Sequence, residues 1–377
     1  MDRTYRFSAP GRPELGGNHT DHQRGCVLAA AVELETTAEV TLNGSDTIRI
    51  FSEGYAPVEV ALDDLSVHSG EENTTAALVR GVAAAFAERG AALQGFDAHV
   101  RSNVLPGSGL SSSAAFEVLI GTMINELFFE KSLSPAEVAR IGQYAENVYF
   151  GKPCGLMDQM ASAVGGMVFI DFEYPACPIV ERIDFDLAAA GYALCIIDTG
   201  ADHADLTAEY AAIPGEMKRI CDYFGKDVLR QVPQAEFFEA LPQLRGRVPD
   251  RAILRAIHFY RENERVEQQV QALRAGDVEE FLRLVRQSGR SSWMYLQNIT
   301  PAGAVEQQAV AVSLALCEEL LAGRGACRVH GGGFAGTVQA FVPLDALEQF
   351  RTGIEAVLGA GKCHVLNIRA AGGVRVE

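Results

Sequence analysis

The chain has 377 residues, 48% of them hydrophobic, enough to bury a sizeable core and to suggest two domains or one large one. Its formal net charge of −17, with the acids spread along the chain, sets up a field that repels nucleic acid and anionic membrane surfaces, though backbone dipoles could still hold an anion locally. No apolar run is long enough to span a bilayer, Met1-Asp2-Arg3-Thr4-Tyr5-Arg6 does not open a signal peptide, and the eight scattered cysteines lack CxxC spacing; they point to free thiols in a reducing cytoplasm rather than to a zinc site or a disulfide framework.

Strand-like composition or alternation marks residues 4–9, 26–40 and 47–51. A helical period follows over 74–88, then a strand over 96–101 and helices over 112–129 and 134–150. The last helix has a clear start: Ser134 as N-cap, Pro135 at the first helical position and Glu137 closing a capping box. Strands over 166–171 and 192–198 lead into helices near 251–263, 266–275 and 302–321, and short strands near 328, 336–342 and 364–368 end the pattern. No repeat, low-complexity segment or Pro/Gly-rich linker divides the chain, and a boundary near residue 190 separates 1–190 from 191–377. The class is α+β or mixed α/β, not the sequential strand–helix order of a dinucleotide-binding domain.

Four constellations carry chemistry. Ala9-Pro10-Gly11-Arg12-Pro13-Glu14-Leu15-Gly16-Gly17-Asn18-His19-Thr20-Asp21-His22 packs Arg, Asn, two His and Asp into a glycine-rich turn, a donor and acceptor set suited to the hydroxyls of a sugar. Gly107-Ser108-Gly109-Leu110-Ser111-Ser112-Ser113-Ala114-Ala115 runs into an apolar helix. Alternate glycines let its N–H groups turn towards one point, which together with a helix N-terminus makes a site for nucleotide phosphates. It is not a Walker loop, since no Gly-Lys-Ser/Thr follows. Glu146 and Asp158 flank a turn built on Gly151, Pro153 and Gly155 that would return Asp158 towards Glu146; carboxylates gathered in an apolar setting need a cation or a proton, and phosphate-bound Mg²⁺ would supply the charge. His330-Gly331-Gly332-Gly333-Phe334-Ala335-Gly336 lets a ligand or a second backbone approach closely, and by itself reads as a hairpin loop.

In this order and at these separations, the motifs resemble those of the GHMP small-molecule kinases, and among them the galactokinases, whose motifs have the forms GRxNxxGEHTDY, GxGLSSSA and GGGFGG. The resemblance reaches from Pro10 to the C-terminal strand. It implies a two-domain GHMP kinase fold, an N-terminal half like the second domain of ribosomal protein S5 with an α+β C-terminal half, and an active site in the cleft between them. It also implies a substrate pair of ATP and a small sugar, phosphorylated on its anomeric hydroxyl, and Mg²⁺ as cofactor. Family members are often monomers, so a monomer or weak oligomer in the cytoplasm is expected. Carried over by matching residues, Gly107, Ser108, Gly109, Leu110, Ser111, Ser112 and Ser113 would hold the ATP phosphates. Ser113 and Glu146 would bind Mg²⁺. Asp158 would act on the anomeric hydroxyl, with Arg12 between it and the γ-phosphate, and Asn18, His19, Asp21, Gly155 and Tyr210 would contact the sugar.

The chain departs from the family where Asn18 replaces a Glu that accepts from the sugar's 6-hydroxyl, and where Pro13 and Glu14 replace an apolar-Asn pair. Asn18 could keep the 6-hydroxyl of galactose, or, with no charge and an added donor, suit a 6-carboxylate as in galacturonate. A further reading, a non-catalytic sugar sensor, is opposed by the presence of Arg12, Asp158 and the full serine run.

Overall fold

The computed structural model describes residues 3–105, 107–201 and 206–376; Pro106, which precedes the glycine-serine loop, lies outside them. The described chain forms two compact units. The first takes in residues 1–12, 30–166 and 368–377; the second takes in 13–29 and 167–367. This is not the single cut near residue 190: the hairpin after Arg12 pairs within the second unit, and the chain returns to the first unit at Ile368.

The first unit is built on a six-stranded sheet in the order Val374–Arg375, Thr4–Pro10, Glu35–Leu42, Phe96–Ser102, Thr47–Ser52, Val58–Ala61. All neighbours are antiparallel except Thr47–Ser52 against Phe96–Ser102. One face is apolar: Thr36, Ala38 and Val40 alternate with more exposed residues along Glu35–Leu42, and Phe7, Phe96, Ala98 and Val100 are buried beside them. The helix Ser112–Phe128 lies against Thr4–Pro10 and Glu35–Leu42, and the helices Thr75–Glu88, Pro135–Tyr144 and Met157–Val164 pack on it. The expected start at Ser134 is present as a full capping box, the Ser134 side chain accepting from the Glu137 N–H and Glu137 from that of Ser134.

In the second unit, a four-stranded sheet runs Ala326–His330, Thr337–Pro343, Tyr192–Asp198, Cys363–Leu366, and another runs Glu14–Gly16, Cys26–Ala30, Met167–Asp171, Ile179–Ile183. Thr337–Pro343 is buried at every position, so it is a central strand covered on both faces. Three expectations need correction. The run 26–40 is two strands, Cys26–Ala30 and Glu35–Leu42, in different sheets. The helices expected at 251–263 and 266–275 are one continuous helix, Asp250–Arg274. The helix expected from residue 302 begins at Ala309, past Pro301 and Gly303. No described helix is long and apolar enough to cross a membrane.

Candidate active site

The glycine-serine loop has the backbone its composition demands. Gly107 (φ 70°), Gly109 (φ 74°) and Ser111 (φ 54°) are left-handed, so every second residue of the loop reverses the sign of φ. Such alternation turns successive N–H groups to one side, and the helix begins at once with Ser112. Ser111 pays the left-handed cost that the glycines avoid. Ser108 and Leu110 are buried and anchor the loop, the Ser108 hydroxyl donating to the Leu105 carbonyl at 2.6 Å.

Arg12 is tied to this loop twice and to Asp158 once. Its backbone N–H donates to the Leu110 carbonyl at 2.9 Å, its Nη1 donates to the Gly109 carbonyl at 2.6 Å, and its Nη2 pairs with the Asp158 carboxylate at 2.5 Å. Arg12 is buried, while Asp158, on the first turn of Met157–Val164, keeps 31% of its side chain exposed. Removal from water pushes the Asp158 carboxyl up; the charge and hydrogen bond of Arg12, with help from the Ser111 hydroxyl, outweigh this and hold it below the ordinary carboxylate range. Asp158 is thus an accessible carboxylate kept ionised beside a guanidinium and a phosphate-type loop.

Glu146 lies in a wider, π-type turn, Ala145–Phe150, that continues Pro135–Tyr144 and turns its side chain into the interior, where it is 4% exposed. The segment after it is pinned by Asn147, whose Oδ1 accepts from the Cys154 N–H at 2.7 Å, and by Gln143, which donates to the Cys154 carbonyl at 3.2 Å. The turn returns the chain as expected, but the residue that meets Glu146 is Gln159: its Nε2 donates at 2.9 Å to both Glu146 and Glu117. Asp158 instead finds its counter-charge in Arg12. Glu117, in the apolar helix Ser112–Phe128, is fully buried; burial and the neighbouring Glu146 charge raise its carboxyl well above the usual range. Glu117 and Gln159 were missed as site residues. Their signal was a lone acid inside Phe116-Glu117-Val118-Leu119-Ile120 and an amide next to Asp158. Gly155 is exposed, and Ser113 stands on the first turn of its helix, half-buried.

The remaining candidates belong to the second unit. The hairpin between Ala326–His330 and Thr337–Pro343 carries the triple glycine, and three successive carbonyls of that loop are each taken by a side chain. Asn18 Nδ2 donates to Gly331 O at 2.6 Å, His19 Nε2 to Gly332 O at 3.0 Å, and Tyr210 Oη to Gly333 O at 3.0 Å. Gly333 must be glycine: a Cβ there would stand 2.1 Å from the Asn298 carbonyl. A carbonyl only accepts, so His19 carries a proton on Nε2. Tyr210 packs edge-on against Phe334, 5.5 Å between centroids, and burial raises its phenol. Asp21 opens a single 3₁₀ turn, Asp21–Gln23, and is half-buried. Beside it His22 is kept neutral, its pKa lowered to about 3 by burial and then by His19 and His258.

Asn18 is placed otherwise than its motif suggests. It is fully buried, and its carboxamide is saturated: it donates to Gly331 O and to Glu14 Oε2 (3.3 Å) and accepts from Asn298 Nδ2 (2.8 Å) and Ser292 Oγ (3.3 Å).

The chain matches two family models: that of the GHMP kinases N terminal domain over residues 77–166 and the galactokinase galactose-binding signature over residues 2–42. It is 33% identical to a galactokinase of Streptomyces coelicolor over 94% of this chain and 88% of that protein. To a galactokinase of Mannheimia succiniciproducens it is 30% identical over 91% and 86%. Among solved structures it is similar to Lactococcus lactis galactokinase complexed with galactose, with a TM-score of 0.83, 25% identity, and 99% of this chain and 95% of that one covered. A mevalonate kinase with 13% identity and a TM-score of 0.68 shares the fold. The phosphate-type loop with its tethered Arg12 and Asp158, the sugar motif and these likenesses together establish that the chain belongs to the galactokinase family of GHMP kinases.

Proposed function

We propose that this kinase transfers the γ-phosphoryl group of ATP to the anomeric hydroxyl of galactose, giving galactose 1-phosphate and ADP. The observation that carries the reading is Arg12, whose guanidinium bonds both the Gly109 carbonyl of the loop and the Asp158 carboxylate. Phosphoryl transfer through a loose transition state asks for alignment and charge stabilisation more than for a strong base. The N–H groups of residues 107–113 hold the phosphates, and Arg12 offsets the negative charge that develops on the transferred group. Asp158, already ionised, orients the anomeric hydroxyl; as its oxygen bonds to the γ-phosphorus and the bond to ADP breaks, the hydroxyl proton passes to the Asp158 carboxylate and then to water.

His19, Asp21, Gly155 and Tyr210 are the sugar contacts of this reading. Ser113 and Glu146 would hold Mg²⁺. Both offer hard oxygen donors, and Glu146 already faces a cation, Lys152, at 3.5 Å. An ion held by these two side chains would take its remaining ligands from phosphate and water. Bound there, Mg²⁺ supplies further neutralisation of the phosphate oxygens. The free cysteines support a cytoplasmic setting.

The test is ADP release by the purified protein with MgATP and a panel of galactose, galacturonate, N-acetylgalactosamine, glucose and arabinose. Turnover highest on galactose is expected. Absence of turnover on galactose, with ATP bound, would overturn the reading.

A further inference from the structure

The saturation of Asn18 has a counterpart four residues earlier. Glu14 is also buried; its Oε1 pairs with Arg328 and its Oε2 accepts from Asn18 Nδ2. Arg328, fully buried, also donates to Ser288 and lies 3.7 Å from Glu262, which pairs with Arg265. Two carboxylates, Glu14 and Glu262, thus balance two guanidiniums, Arg328 and Arg265, around a neutral Asn18. Set against the motif form GRxNxxGEHTDY that this segment resembles, with Asn and Glu where Glu14 and Asn18 stand here, the acid and the amide have changed places.

We infer that Glu14 and Asn18 are one reciprocal exchange, and that Asn18 is a positioning residue that holds the Gly331–Gly333 loop rather than a group that reads the sugar's 6-position. The inference rests on the proposed galactose kinase reading. The network explains why the two changes go together. A Glu at 18 with Glu14 retained would set three buried carboxylates against two guanidiniums. An Asn at 14 with Asn18 retained would leave one guanidinium without its charge partner. Moving both keeps the balance. It also removes the case for a 6-carboxylate substrate. Both amide hydrogens of Asn18 are taken by Glu14 and Gly331, leaving no donor to meet such a group. Asn18 acts on the sugar through the loop. The Gly331 carbonyl it holds precedes the Gly332 and Gly333 carbonyls that fix the His19 ring and the Tyr210 hydroxyl.

Two measurements decide it. In Asn18→Ala, KM rises for galactose and for 6-deoxygalactose together, and the ratio of their kcat/KM stays within about twofold of wild type. A fall in that ratio of about ten-fold or more, the mark of a lost contact to the 6-hydroxyl, overturns the inference. The second is a double-mutant cycle on Tm and on kcat/KM. Glu14→Asn and Asn18→Glu each lower both quantities, and the double variant recovers at least about half of each loss. A double variant no better than the worse single one overturns the exchange. If wild type does not phosphorylate galactose, the functional reading fails by itself, and the Tm cycle still judges the pair.

Discussion

Glu117 in the first unit and Glu262 in the second are the same residue type, both fully buried in helices, and are driven in opposite directions. Glu117 has an amide and the Glu146 carboxylate beside it; burial, then Glu146, raises its carboxyl well above the usual range and favours the neutral acid. Glu262 feels the same burial, but Arg265, His258, Arg328 and the Ser288 hydroxyl outweigh it and bring its pKa down to about 2. Burial alone discharges a carboxyl; the guanidiniums in the next shell decide whether the charge survives. In the first unit the buried Arg12 pairs with the accessible Asp158, while in the second Arg265 and Arg328 flank the buried Glu262.

The sharpest way to test this division is Asp158→Asn, which removes the ionised carboxylate that the proposed reaction uses. It should lower turnover about 10³-fold in a variant that still folds and binds ATP. Wild-type turnover would show that the Arg12–Asp158 pair is only structural. Next in size, Glu262→Gln leaves Arg265 and Arg328 buried without their shared partner and should cost about 3 kcal/mol in urea unfolding. A cost near zero would break the contrast. Glu117→Gln puts a near-isosteric neutral amide where burial already favours the neutral form of the carboxyl, so its cost should stay under about 1 kcal/mol.

The smallest effects are in the pH profiles, and their signs are opposite. The folded pKa of Glu262 lies below its ordinary 4.5, so its stabilisation is complete above pH 4.5 and is lost as pH falls towards about 2. The folded pKa of Glu117 lies above 4.5, so its contribution is complete below pH 4.5 and declines as pH rises towards the folded value. The stability of Glu117→Gln relative to wild type should therefore rise with pH above 4.5, and that of Glu262→Gln should fall as pH rises from about 2 to 4.5. Parallel profiles for the two variants would erase the distinction.

Much of this was legible in the sequence, for local reasons. The alternating glycines require left-handed residues and have them at Gly107 and Gly109, and Ser134-Pro135 with Glu137 starts a helix through contacts three residues apart. What stayed hidden depended on partners distant in the chain. The helix Asp250–Arg274 read as two because its apolar period breaks at Arg261-Glu262-Asn263-Glu264-Arg265. Glu262 and Arg265 occupy interior positions there, so the interruption in the pattern is the buried ion network itself. Cys26–Ala30 and Glu35–Leu42 read as one strand because no glycine or proline marks the point where the backbone leaves one sheet for the other. Asn18 read as a sugar contact because its motif neighbours are polar; its saturation comes from Ser292, Asn298 and Gly331, hundreds of residues away.

The interleaving of the two units bears on the order in which the molecule can be made. Phe7 pairs with Arg375 and Ser8 with Val374, so the sheet of the first unit gains this edge strand only after residues 167–367 have been synthesised. The second unit takes in residues 13–29, which precede most of the first unit in the chain, and is completed only by residues 167–367. Neither unit is a continuous piece of the gene. A chain that folds during translation therefore presents the outer edge of Thr4–Pro10 unpaired until Val374–Arg375 has been made.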